Sequence, residues 1–91
     1  MAEGKIFIIF QDNMDARPFI DAVETDNPEA VMQHEPGMVR FEIVGTLTLS
    51  RETVEEILGR EVDLQEIHMH LISLSGNLEE DDDFIRLSWN T

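Results

Sequence analysis

Three side chains with the chemistry of metal ligands lie close together in the second half of the chain. Glu66, His68 and His70 alternate with apolar residues, so an extended strand would place them on one face, about 6.5 to 7 Å apart. One carboxylate and two imidazoles form a recognised ligand set for non-haem iron. Because the remaining histidine, His34, lies in the other half of the chain, we favour an ordinary solvated or partner-facing strand over a metal site.

Few residues are suited to nucleophilic chemistry. Ser73 and Ser75 follow the two histidines, but a serine nucleophile needs a positioned base and an oxyanion site, and no nucleophile elbow surrounds either serine. The glycines are scattered singly, so the sequence has no glycine-rich phosphate loop. The sequence contains no cysteine, which removes thiolate nucleophiles and zinc-thiolate sites and is compatible with a reducing cytoplasm.

Five consecutive carboxylates, Glu79 to Asp83, form the most acidic stretch. A calcium-binding EF-hand loop would instead space its ligands at alternating positions around a glycine and end in a glutamate. The run is typical of a flexible, solvated loop, and its functional alternative is electrostatic steering toward a basic partner.

The size and the charge of the chain exclude several classes of protein. The 91 residues fit a single domain, residues 1–91. Twenty acidic residues against six basic ones give a net charge of -14, which repels nucleic acid and anionic membranes and favours a basic patch on a protein. The longest apolar run, Ile6 to Phe10, is too short to span a bilayer. We therefore expect a cytoplasmic protein.

Apolar periodicity predicts the elements of the first half. Lys5 to Phe10 is apolar at nearly every position, as in a strand that is central to a sheet and buried on both faces. A helix follows, because apolar residues recur at the spacing of one helical face. Asp12 or Asn13 can cap its start, and the residue before Pro28 ends it. The inward residues of this helix are Ala16, Phe19, Ile20 and Val23. The next two predicted strands are Ala30 to His34 and Met38 to Val44.

The second half repeats this order. Ser50 is the expected N-cap of a second helix, and Gly59 is its expected stop. Alternation then predicts a long strand, Gln65 to Leu74, on which Ile72 and Leu74 continue the face of the two histidines. That face changes from polar to apolar, which indicates either a covered strand end or a docking patch. The second helix follows a predicted strand, Thr46 to Leu49, and its inward residues are Val54, Ile57 and Leu58. The last predicted strand, Phe84 to Trp89, places Ile85, Leu87 and Trp89 on one side.

The order of these elements predicts the fold class. Two β-α-β-β units in series indicate an α+β protein in which two helices pack on curved, mostly antiparallel sheets. A ferredoxin-like arrangement is the main alternative.

Several stretches of the sequence together resemble a known family, and the agreement covers most of the chain. These stretches are Asp26-Asn27-Pro28, Leu58 to His68, Ile72 to Asn77, Glu80 to Asp83, and Trp89. The chain is similar to the effector, or coupling, proteins of bacterial multicomponent monooxygenases, most closely to the regulatory component of phenol hydroxylase, and more distantly to those of toluene and soluble methane monooxygenases. Some relatives in the methane branch carry a long N-terminal tail that takes part in regulation, whereas about four residues precede the first predicted strand here, so tail-dependent control is not expected.

The resemblance implies a regulatory protein that has no cofactor and is not an enzyme. It implies binding to a di-iron hydroxylase, in a system that also contains a reductase, with effects on oxygen activation, substrate access and electron-transfer coupling. A small-molecule-sensing α+β module is the alternative, and it would need a pocket of several hundred Å³. The strand end that the resemblance places against the hydroxylase helices carrying iron ligands consists of Ile72, Ser73, Leu74, Ser75, Gly76 and Asn77.

Overall fold

The computed structural model describes residues 4–89. Within that range the chain forms seven β-strands, two α-helices and one 3-10 helix. Five of the six strands predicted from the sequence lie within one residue of the observed bounds, and the exception is the predicted strand Gln65 to Leu74. In chain order the elements are β1 (Lys5–Gln11), α1 (Arg17–Asp26), β2 (Val31–Glu35), β3 (Met38–Val44), β4 (Thr46–Ser50), α2 (Arg51–Leu58), the 3-10 helix (Leu64–Met69), β5 (Leu71–Ser75), β6 (Asn77–Glu80) and β7 (Phe84–Ser88).

The strands form two antiparallel sheets. One has the order β2-β3-β1-β5 and the other the order β4-β7-β6, so the predicted α+β class and the central position of β1 are confirmed. In the larger sheet β3 lies between β1 and β2, which is the split β-α-β order of ferredoxin-like proteins, but the second sheet is an addition to that arrangement. Because β5 of the second half pairs with β1 of the first, the two halves are joined through one sheet.

Buried apolar side chains from both sheets and both helices form one core cluster. On β1, Ile8 and Phe10 face this cluster, and the rings of Phe10 and Phe41 pack edge to face at a centroid distance of 6.2 Å. Phe7 and Ile9 point the other way and are only half-buried. The prediction that β1 is buried on both faces is therefore wrong, because the buried side chains of both helices join the core on one face alone.

Local signals determine where the helices begin and end. The Asn13 side-chain oxygen accepts a hydrogen bond from the Ala16 amide (2.8 Å) just before α1, and Ser50 Oγ accepts one from the Glu52 amide (3.2 Å) at the start of α2. Gly59 ends α2 with a φ of 75°, a left-handed conformation that glycine adopts without steric cost. The predicted cap and stop of α2 are thus confirmed, whereas the predicted cap of α1 is wrong, because the N-cap residue of α1 is Ala16 and Asn13 bonds only to the turn that precedes it.

Two residues that the sequence groups with buried side chains are exposed. Ile57 is 41% exposed, because the eight-residue α2 reaches the core along one stripe, through Val54 and Leu58. Trp89 follows the last residue of β7 and is 47% exposed. Its ring lies against Gly4, where a Cβ atom would overlap the indole. The inward prediction for Ile57 is wrong. Ile85 and Leu87, which were predicted on the same side of the last strand as Trp89, are buried, whereas Trp89 lies beyond the end of that strand.

Two polar side chains at the end of α1 join this helix to β4 and α2. The buried Asn27 side chain donates from Nδ2 to the Thr48 carbonyl (2.6 Å) and accepts at Oδ1 from the Thr48 amide (2.9 Å). Asp26 accepts hydrogen bonds from the Ser50 amide (2.8 Å) and from Thr53 Oγ1 (2.8 Å). Since β4 is an edge strand, Asn27 satisfies backbone groups that a neighbouring strand would otherwise pair.

We expect Asn27→Ala to lower the free energy of unfolding by about 2 to 4 kcal/mol, because it leaves the amide and the carbonyl of Thr48 without their partner. Urea unfolding followed by circular dichroism measures the change. Asn77→Ala, at an exposed position of β6, is the matched control and should alter stability by less than about 0.5 kcal/mol. Equal unfolding midpoints for the two variants would contradict the role assigned to Asn27.

Candidate partner-binding surface

The stretch between α2 and β5 is helical where the sequence predicts a strand. Leu64–Met69 is a 3-10 helix and β5 begins only at Leu71, so the prediction of one strand from Gln65 to Leu74 is wrong. The 3-10 helix buries Leu64 and Ile67. These two side chains lie three residues apart, which is the spacing that aligns side chains along a 3-10 helix.

The three candidate metal ligands do not share a strand face. His70 is 6% exposed, and its ring packs on Phe19 at a centroid distance of 5.4 Å. His68 is exposed, and its Nε2 lies 2.6 Å from Glu80 Oε1. The prediction that Glu66, His68 and His70 line one face is wrong because the chain turns helically there. Within residues 4–89 no group of three or more such side chains is close enough to hold a metal ion.

A signal for the 3-10 helix is present in the sequence. Asp63 caps the helix by accepting a backbone hydrogen bond (3.0 Å), and Glu66 follows three residues later, which is the spacing of a capping box. Leu64, Ile67 and His70 then recur at intervals of three. This period, and not the apolar alternation of the same stretch, describes which side chains are buried.

Residues 72–77, which we call the docking segment, cross from one sheet to the other. β5 is an edge strand of the larger sheet and β6 is an edge strand of the smaller one. Gly76 forms the corner between them with a φ of 121°, and a Cβ atom there would lie 2.8 Å from the Ser88 carbonyl oxygen. Glycine alone fits both the backbone conformation and the space. One continuous stretch of chain, residues 71–80, therefore forms a free edge of both sheets.

A β-bulge decides which side chains of the docking segment face outward. Leu71 and Ser73 lie opposite consecutive residues of β1, so Ile72 between them is the extra residue of a bulge. Ile72 is 48% exposed, whereas Leu74 packs against the core. The prediction that Ile72 and Leu74 share one face is wrong because the bulge shifts the alternation by one residue. The exposed members of the segment are Ile72, Ser73, Gly76 and Asn77.

The acidic run lies in a β-hairpin. Glu79 and Glu80 belong to β6, and residues 81–83 form the turn to β7, so the prediction of a single loop is wrong for the first two carboxylates. Glu80 bonds to side chains of the 3-10 helix, and Asp83 accepts from the Arg51 guanidinium at 3.0 Å. All five carboxylates are exposed. The run is thus tied to its neighbours and still presents its charge to solvent.

The outer face of the larger sheet lies beside the docking segment, because Ser73 pairs with Ile9 and Ser75 pairs with Phe7. The Arg40 guanidinium lies 4.4 Å from the centroid of the Phe7 ring and 2.7 Å from Glu42 Oε2. None of the residues on this outer face is buried. We call it the open sheet face, and its members are Lys5, Phe7, Ile9, Gln11, Val31, Gln33, Glu35, Met38, Arg40, Glu42, Val44, Ser73 and Ser75.

These features define a protein that acts by binding through its surface. The accessible features of residues 4–89 are a strand edge, an open sheet face and an acidic hairpin. No helix of that range is long and apolar enough to cross a membrane. The chain belongs to the MmoB/DmpM family, whose model matches residues 4–88, and the family resemblance of the sequence is thereby confirmed.

Individual relatives agree with this assignment. The chain is 49% identical over 84 residues to the phenol 2-monooxygenase stimulatory component DmpM of Pseudomonas sp. (strain CF600), covering 92% of this chain and 93% of that protein. It is similar, with a TM-score of 0.91 and 49% identity, to a chain in a structure of a phenol hydroxylase–regulatory protein complex, covering 96% of this chain and 100% of that one. The soluble methane monooxygenase regulatory protein B shares the fold, with a TM-score of 0.74 at 13% identity over 99% of this chain and 69% of its own.

We expect Leu74→Asp to destabilise the chain and Ile72→Asp to leave it nearly as stable, because Leu74 packs on the core and Ile72 is 48% exposed. A carboxylate in place of Leu74 should cost more than about 2 kcal/mol, and one in place of Ile72 less than about 1 kcal/mol. Urea unfolding of both variants measures the difference. A Leu74→Asp variant as stable as the unmodified chain would show that this side chain turns outward.

Proposed function

We propose that this chain is the regulatory component of a phenol-hydroxylase-type monooxygenase. It binds the di-iron hydroxylase of the system and modulates oxygen activation, substrate access and electron-transfer coupling, while the reductase of the same system supplies electrons. It transforms no substrate itself and uses no cofactor. The observation that carries the proposal is the likeness, at 49% identity and a TM-score of 0.91, to a chain in a phenol hydroxylase–regulatory protein complex.

The proposed contact residues are those of the docking segment, namely Ile72, Ser73, Leu74, Ser75, Gly76 and Asn77. Four of the six are exposed on a free strand edge, and Leu74 supports them from the core side. An apolar side chain surrounded by small polar groups has the composition of an interface centre with a polar rim. Ile72 is therefore the proposed apolar anchor of the contact.

Regulation by binding requires a difference in affinity. A partner shifts a conformational equilibrium only by as much as it binds one conformation better than the other. A hundredfold change in the hydroxylase equilibrium needs about 2.7 kcal/mol of such coupling. Insertion of Ile72 and its polar neighbours between hydroxylase helices in one arrangement only would supply a difference of this size.

The proposal treats residues 1–91 as one domain acting in the cytoplasm. The single core cluster, to which both sheets and both helices contribute, supports one folding unit. The cysteine-free sequence is compatible with a reducing compartment.

We expect Ile72→Asp to abolish stimulation of a phenol-hydroxylase-type hydroxylase, because a carboxylate at the apolar anchor would be buried without a partner in the complex. The measurement is product formed per NADH consumed, with hydroxylase, reductase and increasing amounts of the purified chain. Ile57→Asp, at an apolar position of α2 with 41% exposure, is the matched control and should stimulate like the unmodified chain. Equal stimulation by both variants would remove Ile72 from the contact, and no stimulation by the unmodified chain would refute the proposed function.

We expect neutralisation of the acidic turn to slow association without changing the final stimulation. Asp81→Asn with Asp82→Asn preserves the side-chain acceptor at position 81, which bonds to the Asp83 amide, while removing two exposed charges. The association rate should fall several-fold at low ionic strength and approach that of the unmodified chain in high salt, where charges are screened.

The control for this charge effect is the pair Glu24→Gln and Glu56→Gln, which removes two exposed charges from the helices. Stopped-flow measurements over a range of salt concentrations compare the two double variants. An identical salt dependence for the acidic-turn variant and the unmodified chain would exclude steering by the turn.

A further inference from the structure

We infer that the open sheet face is a second contact surface for the hydroxylase, continuous with the docking segment. The inference rests on the proposed function and extends it, because it assigns to the partner a face of the molecule outside residues 72–77. Its centre is formed by Phe7 and Ile9 of β1, with Val31 of β2 at one side and Ser73 and Ser75 of β5 at the other.

The apolar residue pattern of β1 supports this inference. Its sequence has the apolar pattern of a strand covered on both faces, yet Phe7 and Ile9 remain half-exposed in the isolated chain. Val31 and Val44 on the same face are 56% and 49% exposed. An exposed antiparallel sheet face is ordinarily polar. Here apolar side chains lie on both sides of the Arg40–Glu42 ion pair of β3, and exposed apolar surface beside polar groups marks a surface that another molecule covers.

The distribution of charge over the molecule also supports a contact through the open sheet face. The open sheet face holds two basic residues, Lys5 and Arg40, and two acidic residues, Glu35 and Glu42. These charges cancel, so the rest of the chain carries the whole net charge of -14. Burying this face against a partner therefore removes no net charge from solvent, and Arg40 and Glu42 already pair with each other at 2.7 Å.

The docking segment alone is smaller than a typical protein–protein interface. A specific interface buries about 800 Å² on each partner, which is more than an edge segment of six residues offers. Four strands about 4.8 Å apart, two of them roughly 23 Å long and two roughly 16 Å long, give a face of about 380 Å². Because Ser73 and Ser75 belong to both surfaces and pair directly with Ile9 and Phe7, a partner on the docking segment reaches the open sheet face without a gap.

A depression suited to an anchoring side chain adjoins the face at one end. It has a volume of about 130 Å³ and is lined by Lys5, Glu29, Val31, Glu42, Ile43 and Val44. Aliphatic walls with charged groups at the rim fit one apolar side chain projecting from a helix of the partner. A second copy of this chain is a poorer occupant, because two molecules that each carry a charge of -14 repel one another.

The test measures the concentration of the chain that gives half-maximal stimulation of the hydroxylase with its reductase. We expect Ile9→Glu and Val31→Glu each to raise this concentration at least tenfold, since each places a carboxylate in the covered face. Ile57→Glu, on α2 at 41% exposure, is the matched control and should change it less than twofold. Circular dichroism establishes that the variants are folded, and Val31, an exposed edge position, serves if Ile9→Glu does not fold.

The other outcomes separate this inference from the proposed function. If Ile72→Asp abolishes stimulation while Ile9→Glu and Val31→Glu act like the unmodified chain, the open sheet face is not used and the regulatory function stands. If the face variants alter only the sedimentation of the isolated chain, its occupant is a second copy and the inference is overturned. If the unmodified chain gives no stimulation, both the inference and the proposed function are overturned.

Discussion

The hydrogen bonds of Asp26 and Asn27 are the constraint on which the arrangement of the two sheets depends. α1 connects β1 to β2 in the larger sheet, whereas β4 is an edge of the smaller sheet. The Asn27 amide pairs with the Thr48 backbone as a strand would, at 2.6 and 2.9 Å. Asp26 fixes the start of α2 in the same way. A short sequence at one helix end thus sets the position of the second sheet relative to the first.

The bend at Gly76 also joins the two sheets, at the edges formed by β5 and β6. There the chain leaves the larger sheet and enters the smaller one within a single residue, and the Ser88 carbonyl leaves no room for a Cβ atom. The exposed side chains on either side of the bend are therefore held on strands of two sheets whose relation is already fixed by Asn27. A contact surface built in this way is rigid, which lowers the entropy lost when a partner binds.

The sequence predicts those elements whose signals are local. Ser50, Gly59 and Pro28 mark helix ends by capping or steric rules, and the strand Met38–Val44 follows from its residue pattern. The 3-10 helix was missed because Ile67, Met69 and Leu71 also alternate, and a period of two hides a period of three in so short a stretch. Pairing of β5 with β1, and the bulge that this pairing contains, depend on residues more than sixty positions apart.

The candidate site could be predicted only in part, because the directions of its side chains depend on pairing between distant residues. Residues 72–77 were recognised from family resemblance and from an apolar strand end, but the outward direction of Ile72 and the inward direction of Leu74 follow from the bulge. The open sheet face was not predicted at all. Sequence alone distinguishes a buried strand from an exposed one by composition, and the composition of Lys5–Gln11 is that of a strand with a cover on each side.

The bulge at Ile72 has a consequence for the behaviour of the chain in a crowded cell. An unpaired strand edge is a template on which identical molecules extend a ladder into fibrils. One extra residue breaks the regular spacing of backbone donors and acceptors along β5, and the five carboxylates that follow on the hairpin repel a second copy that approaches in parallel. The molecule can keep an apolar edge accessible and still resist polymerisation.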